Sequence, residues 1–544
     1  MKRRIVMSML AGATLLAGTL FGAAPAQSAA PTRPADAGTQ SAEIPAEFGT
    51  DWHDPITAAP PVARPSGRSC QVTVAEAQFR DFTPYTGTYT LPEGCGDRWS
   101  KVVLRLQGSV KGRQFDRLGY LHIGGVEVFR TSTPQPSPDG IEWSVEKDVT
   151  RYSDTFRGSH DVEMLIGNVV DDMYTGIIDV KVTLTFYPGA PNAESVPDRV
   201  LTPKDDTLTT PRNSERIVAE VYATGSGGGC EEYWYLTVPS KAPYSCQADG
   251  GPYREVQIKV DGQLAGIAAP FPTVWTGGWS NPFLWYVVPG PRAFDVKPIE
   301  YDLTPFAGIL NDGRPHRLEV GVVGVPEGQP GWSTPVNVLV WQDPQSAHVT
   351  GRLTTHRSSD LVNSSTYTPG SEHRVDTEGG HRLTVAGYVD TSHGRVTTTV
   401  RRSLANTSVH RWADGENPDA LKTTWTDDES VTVEGRGPER TARTHRTYTT
   451  DGTTTIGAGD RLRTVLTLGD RAVITETSRG RRTAWTRLDD TYTGDATYTV
   501  NVPRDQRHAV GTTGERYRLR GSGGCYDRSL TVVQGVLTED RGGC

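Results

Sequence analysis

The sequence predicts an all-β protein: two tandem jelly-roll-like β-sandwiches followed by an elongated antiparallel β C-terminal domain. Three observations lead there. Apolar residues recur at every second position over short stretches, the period of a strand with one buried face. The 544 residues include 59 glycines and 37 prolines, a supply of turns that suits many short strands better than helices. A pair of local marks also repeats. Asp148-Val-Thr-Arg-Tyr152 precedes His160-Asp-Val-Glu163, and Asp302-Leu-Thr-Pro-Phe306 precedes His316-Arg-Leu-Glu319. From Asp148 to Asp302 the offset is 154 residues, and from His160 to His316 it is 156. An offset this constant favours two copies of one fold.

The elements follow in order. Residues 1–30 read as a secretory signal peptide, with Lys2-Arg3-Arg4, an apolar run to Ala24 and small residues beyond. Residues 31–69, rich in Pro, Ala and Thr, read as a flexible leader. The first sandwich spans 70–188: Val102, Leu104 and Leu106 alternate with polar neighbours, and Leu118 to Phe129 reads as strand, Gly124-Gly125 turn, strand. Val162, Met164 and Ile166 mark a further strand, and Val180 to Phe186 the clearest one. Pro188 to Pro211, with its prolines and acids, reads as a linker. The second sandwich spans 205–345 and contains the aromatic loop Phe271 to Tyr286. From 347 to 544 Thr, Arg and Asp dominate period-2 stretches between Asp-Gly, Gly-Asp and Arg-Gly turns, the pattern of long strands with one face in water.

Net charge is −8 without blocks, which gives no case for nucleic acid or an anionic membrane. Six cysteines fall in three local couples, so Cys70–Cys95, Cys230–Cys246 and Cys525–Cys544 is the economical pairing among fifteen. No C-x-x-C and no His cluster points to zinc. Asp171-Asp172 and Asp205-Asp206 suit calcium less well than they suit solvated loops. An exported, soluble monomer is expected.

What remains is carboxylate chemistry and aromatics. Period 2 puts Asp116, Tyr120 and His122 on one face of a strand, opposite Gly119, Leu121 and Ile123. A carboxylate, a phenol and an imidazole on a polar face suit a cleft, whereas a solvated Asp116–Arg117 pair is the plainer reading. Eight of the 12 tryptophans lie between Trp99 and Trp341, and Trp275, Trp279 and Trp285 sit among Gly and Pro. They either form a platform for sugar rings or cap the sandwich core.

Several stretches together resemble the peptide N-glycanase A family. They are Phe115-Asp116-Arg117, Gly125 to Pro134, Trp143, Lys147 to Tyr152, Gly167-Asn168, Tyr174-Thr-Gly176, Pro252 to Val256, Pro270 to Pro272, Thr276-Gly-Gly278, Asn281-Pro282, Leu284-Trp285, Tyr301 to Phe306 and Asp312-Gly313. The bacterial peptide N-glycanase F is a more distant resemblance. It implies hydrolysis of the amide joining an N-glycan to asparagine, leaving aspartate and a glycosylamine. Asp116 is the catalytic residue carried over from the aromatic-Asp-Arg step. A glutamate of the distant relative falls at Asn168, a departure, and another falls between Asp249 and Glu255. The expected catalytic set is therefore Asp116, Glu255 and Asn168. Arg117, Tyr120, His122, Trp143, Asp249, Arg254, Trp275 and Trp285 are the expected substrate contacts. A general base and acid suffice for the chemistry, so no metal or cofactor is expected. The competing classes are a glycan-binding or adhesion protein without turnover, and a glycosidase with paired carboxylates.

Overall fold

The computed structural model describes residues 43–544 except 228, 330 and 436. The expected signal peptide and the start of the leader lie outside the described residues.

Eight strands build the first unit: β1 (Cys70–Phe79), β2 (Tyr85–Thr90), β3 (Trp99–Val110), β4 (Leu118–Ile123), β5 (Val126–Ser132), β6 (Ile141–Asp148), β7 (Ser159–Ile166) and β8 (Ile178–Pro188). They pair as β1-β8-β3-β6 and β2-β7-β4-β5, the order of a jelly roll. Val102, Leu104 and Leu106 from one sheet and Leu121, Ile123, Met164 and Ile166 from the other are buried between them. The two-residue connection from Ile123 to Val126 works because Gly124 and Gly125 take φ of 58° and 80°, as a turn matched to strand twist requires.

The second unit contains β9 (Arg199–Leu201), β10 (Thr207–Leu208), β11 (Ser214–Val221), β12 (Thr224–Gly225), β13 (Glu255–Val260), β14 (Gln263–Ala268), β15 (Ile299–Asp302), β16 (His316–Val323), β17 (Trp332–Ser333) and β18 (Val336–Gln342). Its two main sheets run β9-β18-β11-β15 and β10-β16-β13-β14. Mapped strand for strand, that is the order of the first unit, with β12 and β17 added as a small ribbon. The repeated sequence marks hold equivalent places. Asp148 ends β6 and accepts the Thr150 amide at 3.0 Å, while Thr150 Oγ1 accepts the Val102 amide of β3 at 2.9 Å. Asp302 ends β15 and accepts the Thr304 amide at 3.0 Å, while Thr304 Oγ1 accepts the Ile217 amide of β11 at 3.2 Å. One turn motif thus closes the same corner of both sandwiches. The segment read as a linker is in part structural, because β9 adds to the second unit's sheet beside β18.

An eleven-stranded antiparallel sheet makes up the C-terminal part: β19 (Thr350–Ser358), β20 (Val362–Thr368), β21 (His373–Thr391), β22 (Gly394–Trp412), β23 (Asp419–Glu434), β24 (Arg440–Gly457), β25 (Arg461–Ser478), β26 (Arg481–Thr499), β27 (Val510–Gly521), β28 (Gly524–Val533) and β29 (Val536–Gly543). It is not a separate appendage. One face carries Leu383, Val385, Trp425, Tyr448, Leu466 and Tyr492, which join the same buried cluster as the sandwich cores. The aromatic loop Phe271 to Tyr286 fills the space between. Trp285 is 1% exposed, stacks on Tyr492 at 4.8 Å and donates to Gly278 O, and Trp279 packs where Gly452 leaves room for its ring. The reading of these tryptophans as a sugar platform is therefore corrected: they cap the core.

Two further expectations change. Residues 43–69 are not a loose leader along their described length. Trp52 stacks flat on Tyr286 at 4.1 Å, the Phe48, His53 and Ile56 amides bond to Ala509, Gly535 and Val287, and Ala58 N donates to Glu515. The apolar Phe48 and Trp52 make this segment a strap, and its prolines hold it extended rather than free. Cys70–Cys95 and Cys230–Cys246 are disulfides, but Cys525 and Cys544 are free, exposed thiols close enough to hydrogen-bond. Among the described residues no helix is long and apolar enough to cross a membrane.

Candidate active site

Asp116 lies in the extended segment that leads into β4, where the first sandwich meets the second. The seam is polar and closely bonded. On β5, Arg130 is buried and forks onto Glu127 at 2.7 and 2.9 Å, then reaches Thr224 Oγ1 at 2.7 Å and Ser333 Oγ at 3.1 Å across the junction. Asn337 exchanges two hydrogen bonds with the Glu127 backbone. At the end of β5 the Ser132 amide bonds to Ala293 O, and just beyond it Thr276 Oγ1 donates to Thr133 O at 2.9 Å. These contacts fix the aromatic loop of the second unit against the strand end that carries Asp116.

The result is a recess with walls from both units. Gln135 Nε2 donates to Asp116 Oδ1 at 3.2 Å. Gly277 closes the other side, and a Cβ there would stand 2.5 Å from the same oxygen. The charge of Glu232, on the short 3-10 helix Cys230–Leu236, acts on Asp116, and Tyr233 beside it hydrogen-bonds to Glu232. Asp116 is half-buried, and protein surrounds its carboxyl closely. Burial pushes it up to about 6, Glu232 adding to the rise, while Gln135 and the Arg117 guanidinium oppose it. A carboxyl held near 6 exchanges protons readily close to neutrality, which is what acid–base work needs. Burial also pushes the Tyr233 phenol up, with Glu232 and Asp116 adding to it.

Arg117 and Asn168 are brought together beside this recess, but their work is mutual positioning. Arg117 donates to Asn168 Oδ1 at 3.2 Å and to Gln114 Oε1 at 2.6 Å. Asn168 is wholly buried, and its amide nitrogen is spent on Phe79 O and Gly176 O at 2.9 and 3.1 Å. It has no donor left for a substrate, so its expected catalytic role becomes that of a bracket for Arg117.

The other expected site residues lie elsewhere. Tyr120 and His122 share the face of Asp116 as period 2 requires, but at strand rise Tyr120 stands about 13 Å along the chain from it. Their rings pack on each other at 5.4 Å, and His122 approaches Glu127 at 3.5 Å. Glu255 is fully buried on β13, taken by His381 Nδ1, Tyr253 OH and Gln257 Nε2 at 2.7, 2.7 and 2.8 Å. It joins the second sandwich to the C-terminal sheet and has no contact with Asp116. Arg254 is buried on Glu231 by a two-pronged pair at 2.9 and 2.6 Å. Asp249 stands exposed on a turn. Trp143 is buried in the first sandwich against Gly108, and Trp275 is buried with Tyr222, Val296 and Leu118 at the seam between units. The side chains of Glu255, Arg254, Trp143 and Trp275 are all spent on buried structural contacts of their own.

Sequence reasoning missed Gln135, Glu232, Tyr233 and Gly277. Gln135 falls in a proline-dense loop, and Glu231-Glu232 follows a cysteine without any periodicity, so nothing local distinguishes them. Among possible metal ligands, Glu215, Asp343 and His393 place donor atoms within 4.8 Å of one another, away from the Asp116 recess. Asp343 is already bonded by Ser392 and the Gln345 amide, and Glu215 pairs with His393 at 3.5 Å. The two Asp-Asp steps serve turns: Asp171 accepts the Met173 and Tyr174 amides, and Asp205 and Asp206 take φ of 49° and 59°.

Two jelly rolls thus lie side by side, with a carboxyl raised toward neutrality at their junction, an arrangement able to serve acid–base chemistry. The family model "Peptide N-acetyl-beta-D-glucosaminyl asparaginase amidase A" matches residues 58–359, and the chain belongs to that family. It is 30% identical over 381 residues to the Prunus dulcis protein "Peptide-N4-(N-acetyl-beta-glucosaminyl)asparagine amidase A". That match covers 62% of this chain and 66% of the almond protein's own length. Among solved structures, PNGase F, a glycosylasparaginase from Flavobacterium meningosepticum, aligns over 51% of this chain and 96% of its own, with TM-score 0.34 and 12% identity. PNGF-II in its C2 crystal form aligns over 52% of this chain and 66% of its own, with TM-score 0.37 and 16% identity.

Proposed function

We propose that this protein is an exported amidase that hydrolyses the bond between an N-linked glycan and its asparagine, with N-glycosylated peptides or glycoproteins as substrates. The supporting observation is the Asp116 carboxyl, raised toward neutrality at the junction of the two sandwiches in a chain of the peptide N-glycanase A family. Asp116, ionised, takes a proton from a water held in the crevice, and that water adds to the asparagine side-chain carbonyl carbon. The carbon–nitrogen bond then breaks, and Asp116 returns the proton to the leaving nitrogen. The products are aspartate in the peptide and a free glycosylamine. Arg117, bracketed by Asn168 and Gln114, favours the ionised form before attack, while Glu232 and Tyr233 offer polar contacts to sugar hydroxyls on the other wall.

A glycan-binding role without turnover loses its main support, because Trp275, Trp279 and Trp285 are buried. A glycosidase would use two carboxylates as well, and Asp116 with Glu232 is compatible with one. Product analysis on a defined glycopeptide separates the readings. An amidase leaves Asp in the peptide, a glycosidase leaves N-acetylglucosamine on Asn, and a binder leaves the glycopeptide intact.

A further inference from the structure

The C-terminal sheet has an outer face turned away from the second sandwich, and register shows what it presents. Arg382 on β21, Ser403 on β22, Asp428 on β23 and His445 on β24 stand level with one another. Two residues along, Thr384, Arg401, Ser430 and Arg443 form the next row. Alternate residues share a face, so both rows lie opposite the buried Leu383 and Arg402. Together they line a basin of about 540 Å³. The rows continue across β26, bringing the exposed Arg487 and the partly exposed Trp485 to its margin.

Several arginines of this face are closed on carboxylates. Arg395 forks onto Asp390, Arg463 forks onto Asp495, and Arg471 pairs with Asp489. Arg382, Arg401 and Arg443 differ: all three are exposed, and among the described residues no carboxylate pairs with their guanidinium groups. Both acids of the basin are taken: Asp428 by His445 Nδ1 at 2.6 Å and Glu429 by the Arg402 guanidinium at 3.2 Å. Arg401 and Arg443 stand two strands apart, about 9.6 Å, with the Ser430 hydroxyl between them. Unpaired guanidinium forks set side by side repel one another, and an oxyanion relieves that repulsion through two-pronged hydrogen bonds. Such a concentration of positive charge runs against a net charge of −8.

We propose that this basin binds an acidic glycan chain. Its carboxylate or sulfate groups sit on Arg382, Arg401 and Arg443, its hydroxyls on the intervening Ser and Thr, and a sugar ring on Trp485. The lining selects this ligand. A chain that spaces its anions and fills the gaps with hydroxyls matches the alternation of Arg with Ser and Thr. A single-stranded nucleic acid uses a series of aromatic platforms, and this basin has one. An acidic peptide seeks free backbone partners, and the strands here have spent theirs on one another. The site is independent of the Asp116 crevice and of the amidase reading.

The test measures binding of the full chain to four probes: a sulfated glycosaminoglycan oligosaccharide, an oligogalacturonate of equal length, a neutral oligosaccharide and single-stranded DNA. At least one acidic oligosaccharide binds, weakens with added salt, and exceeds the neutral one; the stronger of the two identifies the oxyanion. The double variant R401E/R443E weakens binding about tenfold or more, a modest share of what two charge-assisted contacts contribute. R463Q, at a paired arginine of the same face, leaves binding unchanged, and turnover on a glycopeptide is the same in all three proteins. If charge reversal lowers the melting temperature, R401Q/R443Q supplies the same comparison. Acidic probes that bind no better than the neutral one overturn the assignment, as does a double variant that binds like wild type. Tighter binding of the DNA, lost in the same variant, overturns the glycan in favour of nucleic acid.

Discussion

Gly277 of the second sandwich faces Asp116 of the first with no side chain between them, so that an added methyl would stand 2.5 Å from Asp116 Oδ1 and 2.9 Å from Gln135 Nε2. The carboxyl is thereby confined by its partner unit, and the crevice exists only because the two jelly rolls meet at this point.

Gly277→Ala is expected to lower turnover by displacing either the carboxylate or Gln135. The backbone at this position has φ −110°, which alanine adopts without strain, so the damage stays local. Melting temperature changes little. Wild-type kinetics in a folded variant would show that this contact does not position Asp116.

Asp116→Asn removes the base while keeping volume, and a loss of about 10²–10⁴-fold in turnover is expected. Its effect on stability has a sign. The folded-state carboxyl is raised from 3.8 to about 6, chiefly by burial, so the folded protein binds this proton more tightly than the unfolded chain. The stabilising contribution of that proton is present at low pH and is lost as pH rises through about 6. The variant should therefore melt higher than wild type at pH 8 and lose that advantage at pH 4. In wild type, activity should rise through the same window. A variant with normal turnover and lowered stability at pH 8 would mark a structural Asp–Arg pair instead.

Asn168→Ala should behave as a positioning change. It removes the bonds to Phe79 O, Gly176 O and Arg117 Nε, while Gly176 O and Arg117 keep Gln114, so the cost is about 1–3 kcal/mol in all. Lowered stability with a partial loss of turnover is expected. Unchanged stability with a raised KM alone would place Asn168 in contact with substrate after all.

Trp285→Ala tests the buried aromatic loop. Stacked on Tyr492 and bonded to Gly278, this indole should cost about 3–5 kcal/mol when removed, the range for a large aromatic taken from a core. A well-folded variant with weakened glycan binding would restore the platform reading.

A buried carboxyl pair sets a pH limit far from the crevice. Asp490 and Glu515 hydrogen-bond to each other beneath the strap, and Glu515 accepts the Ala58 amide at 2.6 Å. Burial pushes both carboxyls up, the Asp490 rise adding the charges of Glu515 and Asp470, while Arg292 and Arg528 oppose it. Stability from the shared proton is present at low pH and fades as pH rises. Glu515→Gln should flatten the decline in melting temperature between pH 6 and 9 and slow the alkaline loosening of residues 48–58, read by hydrogen exchange. Identical pH profiles for the two proteins would remove the pair from this role.

Alternation, turn residues and the Asp148/Asp302 and His160/His316 marks determined the all-β class and the repeat, because strand period and turn chemistry are local properties that a chain displays whatever its neighbours do. Motif resemblance likewise picked out Asp116. What local pattern left open was which faces meet. A tryptophan among Gly and Pro reads the same whether it meets water or another sheet; the seam between the sandwiches buried Trp275, and the docking of the C-terminal sheet covered Trp279 and Trp285. Glu255 falls where the family resemblance points to a glutamate, yet it is taken by His381, whereas the charge of Glu232, on a short helix with no signal of its own, acts on Asp116. Cys525 and Cys544 show the same limit, since chain proximity suggests a bond that strand ends need not complete. Contacts between remote segments depend on packing across the whole molecule, so the tertiary structure alone decided them.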